Sequence, residues 1–272
     1  MATYVIGDVQ GCFASLEALL RKIEFRKNKD AIWLAGDLVN RGPRSVEVLR
    51  WARSTPGVDS VLGNHDLHLI ARAEGFREKA HPRDTLDEVM VAADRDDLLE
   101  WLCERPFMIR KQGVVLIHAG LLPQWSLDKA ERLAEKVHVS LSSSRRPKLL
   151  KALYAAERVE QWVPGLSRTQ KEQVVVDALT RLRTCTGEGR MCLSFSGPPE
   201  EAEEGCRPWF EWRRSERDRS EGETILFGHW AALGFYDGGS VVGLDSGCVW
   251  GRSLTAMRLD DRAVFRVAAA DS

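Results

Sequence analysis

The chain has 272 residues, with 39 Lys plus Arg against 40 Asp plus Glu, a formal net charge of −1. Hydrophobic residues make up 44% and charged residues 29%, which is ordinary globular composition and excludes a disordered, collagen-like or disulfide-scaffold chain. The near-neutral balance argues against a general nucleic-acid binder, and no apolar run approaches the ~18 residues that span a bilayer. Met1-Ala2 leads directly into Thr3–Ile6, an apolar run read as a buried strand, so a cytoplasmic protein without a signal peptide is expected. A helix follows, with Leu16, Leu19, Leu20 and Ile23 on one face. Ala31–Ala35 is the second strand and Val58–Leu62 the third, separated by a helix carrying Val46, Val48, Leu49 and Ala52 after Gly42-Pro43. Asp94–Glu104 reads as a short helix and Val114–Ile117 as a fourth strand. This alternation predicts an α/β fold, a sheet with helices on its faces.

Residues 121–222 change character. Helices are predicted at 127–140, 145–160 and 169–183, followed by Gly187-Glu188-Gly189, Pro198-Pro199 and a mixed-charge run at 213–223. The segment is read as a helical cap inserted into a single domain spanning 1–272. Strand character returns at Thr224–Phe227, Ser240–Leu244, Ser253–Leu259 and Ala263–Val267, and the turns between them suggest antiparallel pairing. The six cysteines form no C-x-x-C pair, so reduced thiols are expected.

The strand ends carry the chemistry. Thr3–Ile6 runs into Gly7-Asp8-Val9-Gln10-Gly11, and the second strand into Gly36-Asp37-Leu38-Val39-Asn40-Arg41-Gly42. The third delivers Gly63-Asn64-His65-Asp66, the fourth His118-Ala119-Gly120, and Thr224–Phe227 delivers Gly228-His229. Any one of these is an ordinary turn. Five in a row place carboxylate, amide and imidazole groups where α/β sheets gather ligands, a mixture that suits divalent ions such as Mn²⁺.

These motifs resemble the calcineurin-like metallophosphoesterase superfamily. The likeness extends through Val61–Leu69, Leu179–Arg183, Pro208-Trp209-Phe210, Phe227–Trp230 and Leu244–Cys248, and is similar to the bacterial symmetrical bis(5′-nucleosyl)-tetraphosphatases, or diadenosine tetraphosphatases. The resemblance implies a β-sandwich flanked by helices and a two-ion site. Asp8, Gln10 and Asp37 would hold one ion; Asp37 would bridge to a second held with Asn64, His118 and His229. Mn²⁺ is the expected metal, with Mg²⁺ or Co²⁺ as alternatives. The implied reaction is in-line attack of a metal-bound hydroxide, which splits a dinucleoside tetraphosphate into two nucleoside diphosphates. His65 matches the family's catalytic histidine, the general acid to the leaving oxygen, and Arg41 its phosphate-clamping arginine. The same linkage occurs in dinucleoside-polyphosphate caps on RNA 5′ ends, which the chemistry would also accommodate. No obligatory protein partner and no membrane association are expected.

Two positions depart from common patterns. Gln10 stands where many relatives have His; it either ligates through its amide oxygen or stands behind a water. Asn40 stands where the superfamily's protein phosphatases have Asp, which counts against the alternative reading, a phosphoprotein phosphatase. Asp66 is a second candidate partner for His65, and no role is assigned to His68. Arg181 and Arg183 are the best candidates for meeting the tetraphosphate; at i, i+2 they share no helix face unless the helix ends there. Trp209, Phe210, Trp230 and Trp250 are candidates for stacking on adenine, each with core packing as the alternative.

Overall fold

The computed structural model describes residues 1–76, 82–155, 157–213 and 222–271. The first part runs β1 (Thr3–Ile6), α1 (Phe13–Lys22), β2 (Ala31–Leu34), α2 (Ser45–Ser54), β3 (Val58–Ser60), α3 (Asn64–Ala73), α4 (Asp87–Met90) and α5 (Arg95–Cys103). The hairpin β4 (Met108–Lys111) and β5 (Val114–Ile117) follows, then α6 (Leu127–Leu141), α7 (Arg146–Leu153) and α8 (Arg168–Arg181). A short pair, β6 (Thr184–Cys185) and β7 (Arg207–Pro208), precedes β8 (Thr224–Phe227), β9 (Tyr236–Asp237), β10 (Val241–Gly243), β11 (Ser253–Arg258) and β12 (Val264–Ala268).

Two five-stranded sheets carry the architecture, ordered β12-β11-β1-β2-β3 and β4-β5-β8-β10-β9. Their facing sides pack on each other: Val5, Trp33 and Val61 of the first sheet join Leu116, Leu226 and Val242 of the second in one buried cluster. The other side of the first sheet receives helices. Ile6 and Leu34 share a cluster with Leu16 and Leu19 of α1 and Leu49 of α2. Strands covered on both faces have no solvent side, so β1 and β5 are buried at every position and read as unbroken apolar runs. Burying each leucine contributes about 1.5–3 kcal/mol.

Helix ends follow local chemistry. The Ser126 hydroxyl accepts from the Lys129 N–H at the start of α6, and Ser167 with Gln170 forms a reciprocal capping box at the start of α8. Helix α8 stops at Arg181 because Leu182 turns to an extended backbone (φ −68°, ψ 123°). The middle helix is shorter than the predicted 145–160 and ends at Leu153. Most of the mixed-charge run 213–223 lies outside the described residues.

Two expectations are corrected. Strands β8 and β10 are parallel to each other, and β8 is parallel to β5. The chain from Phe227 to Val241 crosses back before pairing, rather than turning in a hairpin; β9 supplies the antiparallel neighbour instead. Cysteines are not all free either: Cys192 and Cys206 are disulfide-bonded across a separation of 14, while Cys12, Cys103, Cys185 and Cys248 are free and buried. The β6–β7 pairing folds the chain back on itself and brings the two together.

The turn into β2 gives a pH-dependent contribution to stability. Asp30 accepts from Arg26 Nη2 at 2.8 Å, Arg26 Nε at 2.9 Å and the Ala2 N–H at 2.9 Å. The Arg26 guanidinium holds its carboxyl well below the usual carboxylate range. A depressed folded pKa stabilises above the unfolded value near ~3.9 and loses that contribution as pH falls through the folded value. Asp30→Asn is therefore expected to lower Tm at pH 7 and to lower it progressively less below about pH 4. A Tm gap that stays constant from pH 7 to pH 2.5 would remove the ionic account.

Candidate metal centre

The centre forms where the carboxyl ends of parallel strands from both sheets meet. Asp8 and Gln10 follow β1, Asp37 follows β2, and Asn64 and His65 open α3 after β3. His118 follows β5, His229 follows β8, and Asp245 follows β10. The backbone is bent hard to deliver them: Gln10, Asp37, Asn40, Arg41 and His229 all have φ between 46° and 78°, the left-handed region that ordinary residues avoid. Such conformations persist only when surrounding structure over-determines them. Asp66 does much of this at the Asp37 turn, accepting from the N–H groups of Asp37, Leu38 and Gly63, each at 2.9 Å. It is a loop anchor, and His65 finds its partner elsewhere.

Asp37, His118 and His229 converge with ligand atoms within 4.8 Å of one another, all buried. His118 Nδ1 lies 2.7 Å from the Ala35 carbonyl oxygen and takes the ring proton there, since burial holds this imidazole neutral, its pKa pushed down to about 4. Its Nε2 then carries a lone pair, yet faces Asp37 Oδ1 at 3.5 Å and Asn64 Oδ1 at 3.3 Å. Three lone pairs with no hydrogen between them repel in a buried site, and a cation among them reverses the sign. His229 is arranged alike: its Nε2 lies 3.0 Å from the Arg181 carbonyl oxygen, which leaves Nδ1 as the donor atom.

The acidic side repeats the argument. Burial raises Asp8 well above the usual carboxylate range, with Asp245 and Asp37 adding repulsion, and it pushes Asp37 up to about 7. Asp245 is pushed up to about 6 by the same burial. Asp8 accepts from the His229 N–H, which ties the ends of β1 and β8 together. Gln10 Nε2 lies 3.3 Å from Asp37 Oδ2, so its amide is oriented as a donor to that carboxylate. Buried carboxylates and neutral imidazoles together fit divalent cations. Asp37, His118 and His229 lie close enough together to hold one.

His65 stands beside this group, its Nε2 at 3.9 Å from Asp37 Oδ2. Asn40 Oδ1 accepts from the Arg41 N–H at 2.8 Å and the Thr85 N–H at 3.1 Å, which fixes the amide's orientation. Its Nδ2 therefore donates to His65 Nδ1 at 2.9 Å and to Asp84 Oδ1 at 3.0 Å. His65 consequently carries its own proton on Nε2, facing the centre. Asp84 also pairs with His68 Nε2 at 2.7 Å, so the expected inert His68 belongs to the support behind Asn40.

Glycines set the closeness of these loops. A Cβ at Gly63 would overlap Asp37 Oδ1 and sit 2.8 Å from its Cγ. Gly63→Ala is expected to push Asp37 off the centre and to cut both metal content and turnover by at least ~10-fold, the lower end for disturbing a ligand's support. Metal content equal to wild type in the purified variant would show that the Asp37 loop tolerates the displacement.

The calcineurin-like phosphoesterase family model matches residues 1–233. The chain belongs to this family. It is 46% identical over 266 residues to a protein of Chromobacterium violaceum named symmetrical bis(5′-nucleosyl)-tetraphosphatase, covering 97% of this chain and 94% of that one. It is 41% identical over 273 residues to a Vibrio parahaemolyticus protein of the same name, covering both chains fully. A crystal structure described as that of a candidate diadenosine tetraphosphatase superposes with a TM-score of 0.68 at 26% identity, covering 100% of this chain and 95% of that one.

As expected for a phosphoesterase, divalent metal chemistry is the family's, and Asp37, His118 and His229 from three strand ends converge. Arg181 and Arg183 both reach the centre, because α8 does end between them. The stacking candidates divide. Trp209 and Trp230 are buried at 0% and 1% exposure and Phe210 packs with them, so these three are core. Trp250, 52% exposed, lines the cleft beside His229. Sequence reasoning did not single out Asp84, Asp245, Arg158 or Arg252, although Asp245 follows a strand as the other ligand candidates do.

Proposed function

We propose that this phosphoesterase cleaves dinucleoside tetraphosphates, diadenosine tetraphosphate foremost, symmetrically into two nucleoside diphosphates. The observation that carries the substrate is the full-length likeness, at 40–46% identity, to relatives named for that reaction. Two divalent ions, when bound, lower the pKa of water and neutralise charge on the phosphoryl oxygens. Mn²⁺ is the proposed metal, because oxygen donors outnumber imidazoles in the set, with Mg²⁺ and Co²⁺ as outcomes to compare. Asp37 holds its carboxylate between the two halves of the ligand set, and Gln10 steers it. Arg41, Arg181 and Arg183 bind the phosphates. His65 offers its Nε2 proton to the bridging oxygen that leaves. One domain with a cap at about 121–222 and a cytoplasmic location complete the reading.

Asn40 favours this substrate over a phosphoprotein. A leaving nucleoside diphosphate is a weak base and is served by a neutral N–H donor, whereas a serine alkoxide needs a full proton transfer. The test is product analysis. Protein loaded with Mn²⁺ is incubated with diadenosine tetraphosphate and the products are separated by anion exchange. ADP alone supports the reading; AMP plus ATP overturns the symmetrical cut; inertness with hydrolysis of a phosphopeptide overturns the substrate class.

A further inference from the structure

Two clefts of about 350 and 300 Å³ share Asn64 and His65 among the described residues; Gln10, Asp37, His229 and Asp245 also line the second, so it contains the metal centre and runs on to Trp250 and Arg252. We infer that each is a separate subsite for one nucleoside diphosphate, so that the protein holds both products at once. The inference rests on the dinucleoside-polyphosphate reading above and adds what each half of that substrate touches.

The clefts carry the same chemistry, arginines beside an aromatic ring. The first has the guanidinium groups of Arg41, Arg158 and Arg181, with the Tyr154 ring on its wall. Behind them the buried Asp177 accepts from Arg158 Nη1 at 2.7 Å, which fixes that guanidinium, and lies 3.3 Å from Arg181 Nε as an ion pair. The second has Arg183 and Arg252, with the exposed Trp250 at its lip. Arg252 is held by the Ala231 carbonyl at 3.0 Å. In each, planar forks suit phosphate oxygens and an aromatic ring suits a base. The first volume is near the lower end of the ~300–1,000 Å³ of small-ligand pockets and the second is shared with the metal-site residues, so neither alone takes a whole dinucleotide. The leader from α8 supplies one arginine to each: Arg181 turns to the first cleft and Arg183 to the second, because the helix ends between them. A substrate laid from the first cleft past Asn64 and His65 into the second runs its tetraphosphate chain over Asp37 and His229.

The test is the stoichiometry of radiolabelled ADP bound to the Mn²⁺-loaded protein, by equilibrium dialysis. Wild type is expected to bind two ADP per chain. Trp250→Ala and Arg252→Ala are expected to bind one, and Tyr154→Ala and Arg158→Ala to bind one. A double variant, Tyr154→Ala with Trp250→Ala, is expected to lose both. Tyr154→Ala guards the first cleft against misfolding, since Arg158→Ala also leaves Asp177 with one partner fewer. One ADP or none on wild type overturns the inference, as does loss of both sites from a change in a single cleft. The failure is distinct from failure of the proposed reaction: ADP as sole product with one ADP bound sinks the paired subsites alone. Two ADP bound with AMP and ATP as products sinks the symmetrical cut alone.

Discussion

Asp37→Asn is expected to reduce turnover of diadenosine tetraphosphate by more than ~10³-fold, since a lost ligand forfeits several kcal/mol of charge stabilisation and each ~1.4 kcal/mol is tenfold. The variant should fold. Asn is nearly isosteric and keeps an oxygen to accept from the His65 N–H, which lies 2.8 Å from Asp37 Oδ1. The change is in charge, at the one carboxylate that faces His118, His65 and Gln10 together. A neutral amide in that position leaves Asp8 and Asp245 as the neighbouring carboxylates and removes the anion beside His118 and His65. Metal content should therefore fall along with activity, whereas a residue that only touched substrate would leave metal content unchanged. Measuring both, with a thermal melt to show the fold, decides the role. Full metal content with wild-type turnover would sink it.

Much of this centre was legible because its signals are short. Asp8, Asp37, Asn64, His118 and His229 each stand within four residues of the end of a strand. A buried strand followed by glycine and a polar group can be read without knowing what lies across the sheet. The sheet's handedness and crossing rules then leave few places for those ends to go. What could not be read depends on long-range closure. Asp84 bonds to Asn40 across 44 residues and to His68 across 16, from an irregular segment with no periodicity. Trp209, Trp230 and Trp250 look alike in sequence, and only packing separates two buried rings from one at a cleft lip. The parallel pairing of β8 with β10 was hidden because a turn-rich connection has the same composition in a hairpin and in a crossover. The Cys192–Cys206 bond was hidden for the same reason, since loop closure has no signature in spacing alone. The backbone strain at Gln10, Asp37, Asn40, Arg41 and His229 has no composition signal, since none of the five is glycine.

His65→Ala is expected to lower kcat by roughly 10²–10⁴ while leaving metal content at the wild-type level. The two readouts separate because His65 is held from outside the ligand set. Asn40 donates to its Nδ1, and the Asn40 amide is fixed in turn by the Arg41 and Thr85 N–H groups and by Asp84. Removing the ring leaves Asp37, His118 and His229 with their own anchors, at the His65 backbone N–H, Ala35 and Arg181 respectively. On the proposed role, the lost element is one Nε2 proton that serves the leaving oxygen. Its loss should therefore grow with the basicity of the leaving group. Across a series of aryl phosphodiesters, the dependence of rate on leaving-group pKa is expected to be steeper in His65→Ala than in wild type. Equal slopes with a uniform rate loss would place His65 at the phosphoryl group instead of the leaving oxygen. Normal turnover would remove it from the reaction, and the Asn40–Asp84–His68 support would then serve only to shape the first cleft.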